Sequence, residues 1–376
     1  MTKCLSKSSA HVPRKLHCEY RRQRSLCPRR AFVLPIVLVA LLLVATLTGA
    51  THFSAWRAMR SARLGWNGER ALLGADEIVS AALATWNSEA FAAQPIGARW
   101  QRSMTTVDGA AVVLNSARLG PLDAVLEATM TSRIGAAVDT ASRRVMRVIA
   151  LSAPEFPLRG ALTVLGAVQI TGAATLDGRD VGWPGDGCGS QRDTASVSGV
   201  HATDAVVDMI ASIRGAPPLV VTGAMSRSAT NDGIAFDSAW LTMVPRITRR
   251  EAWNAPSALV SAPAWTARIL APIDSSAGRS VVIIGTARHD GMLVIDGDLV
   301  LRGDLEVQGV LVVHGALDAA NGTLVVNGAV IARDRRESGS RLSGSADIRY
   351  SPCTTRRALA TVARPSTVPF ALWTTR

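Results

Sequence analysis

The sequence predicts a mainly β protein carried on one long N-terminal helix, and three observations carry that expectation. Twenty uncharged, mostly apolar residues run from Ala31 to Ala50; a helical periodicity continues beyond them to about Asn87; and glycines recur every six residues in two later stretches. The expected architecture is a transmembrane helix with an amphipathic stem, a small antiparallel β region, and a short β-solenoid of hexapeptide period, its handedness unassigned, interrupted by an insertion.

Residues 1–30 form a basic cytoplasmic leader and residues 31–50 the membrane span. At ~1.5 Å per residue such a helix approaches the ~30 Å of a bilayer's hydrocarbon core. Pro35 falls in the first turns, where backbone N–H groups have no intrahelical partner to lose. Nine Lys and Arg precede the span against one acid, Glu19, whereas Arg57, Arg60 and Arg63 follow it. The excess argues for an N-terminus on the cytoplasmic side and a C-terminal domain on the other side of a single-pass span. Eight of the formal +12 charges belong to this leader. The basicity is therefore a topology signal, and no nucleic-acid partner is expected.

Residues 51–92 read as the helical stem, with Leu72, Ala75, Val79, Ala82, Leu83 and Trp86 recurring at three and four. Over 99–152, short β-rich runs such as Ala110–Asn115, Ala124–Met130 and Val145–Leu151 are separated by Asp108-Gly109 and Gly120-Pro121, the pattern of an antiparallel meander.

The repeat follows. Glycines stand at Gly160, Gly166, Gly172 and Gly178 in a first block (158–182), and at Gly285, Gly291, Gly297, Gly303, Gly309, Gly315, Gly322 and Gly328 in a second (281–334). The second residue after glycine is usually aliphatic (Leu162, Val168, Leu293, Leu299, Leu305, Leu311), and so is the fourth (Val164, Ile170, Ile295, Leu301, Val307, Val313). Residues two apart on a strand share a face, and glycine permits the geometry of a corner. Short strands with glycine corners and two inward aliphatics describe the faces of a solenoid, which stacks because one coil cannot bury its own apolar side. The segment 183–280 reads as a lateral insertion with a short helix around Ala202–Ser212, and 335–376 as a C-terminal tail. The two blocks are expected to stack into one unit.

Cys4, Cys18 and Cys27 lie in the leader, leaving Cys188 and Cys353 outside the membrane. Two thiols in an oxidising compartment allow one intramolecular pairing, which predicts a Cys188–Cys353 disulfide.

The residues argue against an enzyme. His289 and His314 lie in the second block, where a hexapeptide acyltransferase would place a histidine, but both are read as occupants of variable, outward-facing columns. His11, His17, His52 and His201 have no metal-ligand spacing. Asp290, Asp296, Asp298 and Asp304 follow the hexad but lack the nine-residue period of calcium-binding solenoids. Gly185-Asp-Gly187-Cys188-Gly189 is not a phosphate loop, and no G-x-S-x-G or H-E-x-x-H occurs. No catalytic residue, metal site or cofactor is expected.

The basic leader ending Arg29-Arg30-Ala31, followed by Phe32 and the apolar helix, resembles the PilX-like group of type IV pilus assembly proteins, minor pilins and pseudopilins. Gly291 to Gly315 is similar to solenoid segments of large members, and Tyr350-Ser-Pro-Cys353, Arg357-Ala-Leu359 and Ala363-Arg-Pro365 to their chain endings. The resemblance implies a bacterial inner membrane with the periplasm or beyond as its outer side, cleavage by a prepilin peptidase between Ala31 and Phe32, and packing of the helix with other pilin-like subunits besides the lipid bilayer. It also implies a role as assembly component of a type IV pilus or type II secretion-like machine, with the exposed domain as tip, adaptor or surface-contact module. The chain departs from the pattern twice: Ala31 replaces the usual Gly, and Ile36 stands where major pilins carry Glu. A permanently anchored envelope scaffold or glycan-binding solenoid is the alternative, and an anchored acyltransferase the remote one. A signal peptide cut after Thr48-Gly-Ala50 is disfavoured by its long apolar region.

Overall fold

The computed structural model describes residues 33–106, 110–133, 140–180, 196–209, 211–223, 227–253, 265–272, 280–334, 339–342 and 345–374. Contacts divide the chain into two units, Met1–Arg63 and Leu64–Arg376. The first, where described, is helix alone: α1 (Val33–Ala84) begins in it, and Val33 to Arg63 are exposed throughout. Among the described residues it is the one helix long and apolar enough to cross a membrane.

The second unit opens with the remainder of α1. Asn67, Gly68, Ala71, Ala75 and Val79 form its buried stripe, a spacing close to one helical turn. The stripe is small because the helix lies close on a sheet: a Cβ at Gly74 would fall 2.3 Å from Met130 Sδ, and one at Gly68 2.7 Å from Arg143 Nη2. The helical pattern that the sequence carries to about Asn87 runs as α1 to Ala84, and the rest of the 51–92 stem is a short turn and a separate helix, α2 (Ser88–Ala93). Asn87 caps α2, its side chain accepting from the Ala90 N–H, which sets a new helix start.

The sheet beneath is the expected meander, β1 (Arg99–Thr105), β2 (Ala111–Arg118), β3 (Asp123–Arg133) and β4 (Thr140–Ser152), all antiparallel. Alternation buries Val112, Leu114, Ala124, Leu126, Ala128, Val145 and Ile149 toward α1.

A stack of short parallel strands follows. The first block supplies β5 (Gly160–Val164), β6 (Val168–Thr171) and β7 (Ala174–Asp177). Next come β8 (Ser198–Ala202), β9 (Val206–Met209), β10 (Ser212–Arg214) and β11 (Leu219–Val221), then α3 (Arg227–Met243) and a 3-10 turn at Val244–Arg246. The strands β12 (Arg249–Trp253), β13 (Thr266–Pro272) and β14 (Ser280–Ile283) lead into β15 (Thr286–Ile295), β16 (Asp298–Leu301), β17 (Asp304–Val313), β18 (Leu317–Asp318) and β19 (Thr323–Ala332). The chain ends with β20 (Ser340–Leu342), β21 (Ser345–Tyr350), α4 (Pro352–Ala360) and β22 (Arg364–Thr374). Gly309 of β17 pairs with Gly291 of β15, eighteen positions earlier, and with Gly328 of β19. Three hexads thus return the chain to one register.

Three readings are corrected. Where a helix was expected at Ala202–Ser212 the described residues hold the end of β8, a bend at 203–204, β9 and the start of β10, because Val206, Val207 and Ile213 extend the columns of Val168, Gln169 and Leu176. The segment 183–280, expected as a lateral insertion, contributes β8 to β14 to the parallel sheets apart from α3. The tail joins both sheet systems: β20 and β21 enter the parallel stack, and β22 pairs antiparallel with β4.

The stacking order is not the chain order. β5, β6 and β7 lie between β8 to β10 on one side and β19, β20 and β21 on the other. The chain starts mid-stack, builds to one end, crosses by α3 to the opposite end, and returns to its starting coil.

Candidate membrane and assembly surface

The described turns of α1 up to Arg63 hold what a lipid or helical partner would meet. Its aliphatic side chains are uncovered, with Ile36, Leu41, Leu42 and Leu43 each about 60% exposed. Thr46, Thr48, Thr51 and Ser54 donate to carbonyls three or four residues back, so their hydroxyls need no water. The first charge after the span is Arg57, and aromatic rings stand beside it. Phe53 and Trp56 stack at 6.3 Å, Arg57 lies 4.4 Å from the Phe53 ring and Arg60 5.5 Å from Trp56. Aromatic rings and long cationic side chains of this kind suit a headgroup layer. The expected processing residues Ala31 and Phe32 lie outside the described residues.

Two buried arginines hold the helix connection. Arg118, at the end of β2 and 1% exposed, donates to the carbonyls of Phe91, Ala92, Gln94, Gly120 and Pro121. Arg357 of α4 donates to Ala92 O at 2.8 Å and Ala93 O at 3.1 Å, and lies 4.2 Å from the Trp265 ring. Together they satisfy the open carbonyls at the end of α2. Burial, and then the charge of Arg357, pull the Arg118 guanidinium down to about 10. Asp76 of α1 pairs with Arg147 of β4. The sequence offered one signal for Arg118, a cation ending an otherwise alternating strand; Arg357 stood out only as part of the chain ending Arg357-Ala-Leu359, with nothing to say that it would be buried against α2.

The glycine columns mark where backbones approach. A Cβ at Gly309 would fall 1.9 Å from Gly291 O, and one at Gly328 1.8 Å from Gly309 O. Gly303 and Gly322 make a second column, their Cβ positions 2.2 Å from Gly285 O and 2.4 Å from Gly303 O. Gly315 would meet Gly297 C at 2.7 Å, Gly178 would meet Val197 O at 2.2 Å and Gly160 Ser198 O at 2.9 Å. Gly166 and Gly172 turn with φ of 151° and 85°. Stacking identical corners directly on one another leaves no volume for a side chain.

Cys353, buried at the start of α4, is disulfide-bonded. Its expected partner Cys188 lies outside the described residues.

His289 corrects the sequence reading. It is 1% exposed, in the inward column of Val307, Val326, Ile348 and Leu176. Its Nε2 lies 3.2 Å from Thr266 O, and burial with the nearby Arg268 charge lowers its pKa to about 4. His314 does face outward but is half-covered by α3: Trp240 stacks on it at 4.1 Å and Phe236 at 5.9 Å. α3 is also held by buried Asp232, 2.8 Å from Arg159 and 3.6 Å from His201 Nε2. Burial depresses His201, with the Asp232 charge opposing.

Among the described residues no group of three or more His, Cys, Asp or Glu is placed to hold a metal. Asp298 accepts from the Ala316 N–H, Asp290 lies 3.5 Å from Arg288, and Asp296 lies 3.7 Å from His314. These are turn-capping and ion-pairing roles. A cavity of about 370 Å³ lies between α1, α2 and the antiparallel sheet, walled by Ile78, Trp86, Phe91, Trp100 and Leu126.

No protein-family model matches the chain, and no curated protein matches it. Among solved structures, the competence-associated pilin ComZ from Thermus thermophilus is similar at 11% identity, covering 82% of this chain and 96% of its own, with a TM-score of 0.23. At that score the superposition is too loose to fix fold or function.

Proposed function

We propose that the protein is a non-enzymatic, minor-pilin-like component of a type IV pilus or type II secretion-like machine, anchored in the inner membrane by α1. In this reading the parallel stack is a three-faced β-solenoid displayed as tip, adaptor or surface-contact module. The observation that carries it is the form of α1. Its first part is apolar and uncovered, and its last turns, from Asn67 to Val79, pack through small residues on an antiparallel sheet. A helix built only to anchor needs no such sheet. A helix built to move from bilayer to a bundle of like helices needs the apolar part free and the domain fixed to its other end. The leader Arg29-Arg30-Ala31-Phe32 supports the same reading by its resemblance to prepilin processing sites. The oxidising compartment this implies suits a Cys188–Cys353 bridge tying the start of the strand excursion to α4.

The N-terminal residue of the mature protein is the test. A chain beginning at Phe32, N-methylated, is the expected result; an intact leader or a start at Thr51 overturns it. The second reading, a permanent anchor bearing the same domain, is favoured by Ile36 and Ala31, which lack the acid and the glycine of the major pilins.

A further inference from the structure

Alternation along β1 puts Trp100, Arg102 and Met104 on one face, the two apolar residues half-buried and the cation between them exposed. All three line the cavity of about 370 Å³, whose opposite wall is Ile78, Trp86 and, from α2, Phe91. The break between α1 and α2 shapes that wall, because Trp86 stands in it with its ring 5.2 Å from Phe91. Ile78, Ala81 and Met104 also line a second cleft, of about 710 Å³, beside Leu73 and Met130. The combined space is mostly apolar and elongated along α1, and its first chamber alone has the size of a small-molecule site.

Its polar groups are few and unmatched. Among the described residues the Arg102 guanidinium has neither an ion-pair nor a hydrogen-bond partner. The Trp86 Nε1–H, buried in the wall, has no acceptor among them, a state that native structures seldom leave unexplained. Around the second cleft stand Glu69, Arg70 and Glu77, a net negative set. Charge therefore favours an anion at the Arg102 end and disfavours one at the other.

We propose that this cavity binds a fatty acid, with the carboxylate on Arg102 and the chain lying between α1 and β1 toward Met130. A guanidinium takes a carboxylate through two parallel hydrogen bonds, and because Arg102 is exposed the head keeps its water while the chain gains burial. The carboxylate also offers the acceptor that the Trp86 N–H lacks. A neutral chain gives up the Arg102 contact, and an alkylammonium is repelled by it. The site is independent of whether α1 leaves the bilayer, so it stands or falls apart from the pilin reading.

Photolabelling of the full chain in lipid nanodiscs with a diazirine-bearing dodecanoic acid, mapped by mass spectrometry, tests this. Crosslinks are expected over residues 78–104, displaced by excess dodecanoic acid and not by dodecanol or dodecyltrimethylammonium. Arg102→Glu should cut that labelling about fivefold or more, by losing one charge pair and gaining a repulsion. Arg99→Glu, the same change on the opposite face of β1, should leave it intact. Ala81→Trp, at an exposed helix position that lines both clefts, should block it without lowering the melting temperature. Labelling confined to residues 33–63, displacement by dodecanol as effective as by the acid, or equal labelling of the Arg102→Glu and wild-type chains overturns the site.

Discussion

At the scale of single residues, stability rests on positions where the stack or the core tolerates no substitute. Gly309→Ala places a methyl within 1.9 Å of Gly291 O, a clash that repacking cannot relieve because both partners are backbone. A loss of more than about 3 kcal/mol in denaturant unfolding is expected, against about 1–2 for Gly97→Ala, which has open space but a φ of 84°. Arg118→Met fills volume but leaves the carbonyls of Phe91, Ala92 and Gln94 without their donor; about 3–5 kcal/mol should be lost. His289 makes stability depend on pH. Its pKa falls from 6.5 to about 4 on folding, so the unfolded chain binds the extra proton and stability rises with pH across that window. Full stability is present above about 6.5, and about 3 kcal/mol is lost by pH 4. His289→Leu should flatten that part of the curve in pH-dependent urea melts.

At the scale of elements, the antiparallel sheet and α3 are each held from a distance in sequence. β22 covers the outer edge of β4. Deleting residues 364–376 should expose a strand of thirteen residues, Thr140–Ser152, and yield aggregation by light scattering while the helix signal persists. α3 is fixed by rings: Trp240 on His314 and Phe236 against Phe156 at 5.8 Å. Trp240→Ala should cost about 3–5 kcal/mol and raise amide exchange across α3 before the stack is affected. The meander was legible because alternation is local, whereas β22 was not: Arg364 to Thr374 carries Pro365 and Pro369, which argue against a strand. It pairs at an edge, with a register shift between Thr367 and Ala371, where proline is tolerated.

At the scale of the whole molecule, chain order and stacking order part company. Ala332 pairs with Val164, a closure across much of the second unit, whereas β15, β17 and β19 pair with neighbours one coil away. Long-range closure costs more chain entropy than local pairing. In pulse-labelled refolding, protection should therefore appear first over 286–332 and last over 160–177. Simultaneous protection would mean the seam forms with the core of the stack.

The sequence by itself determined the apolar helix, the meander and the hexad, because each is a local pattern: an uncharged run, an alternation of two, a glycine every six. It also determined which aliphatics face inward in the second block, and fixed that glycine must stand where Gly291, Gly309 and Gly328 superpose. It misplaced His289 because its polar character was weighed above its phase: standing four after Gly285 it falls in the inward column of Ile295, Leu301 and Val307, where the structure puts it. Only the tertiary structure decided that β8 to β14 belong to the stack, that the first coil is wedged against the last, and that Arg118 and Arg357 meet at α2. Those choices depend on which strand edges and carbonyls remain unsatisfied once the local pieces have formed, and no short window of sequence contains both partners.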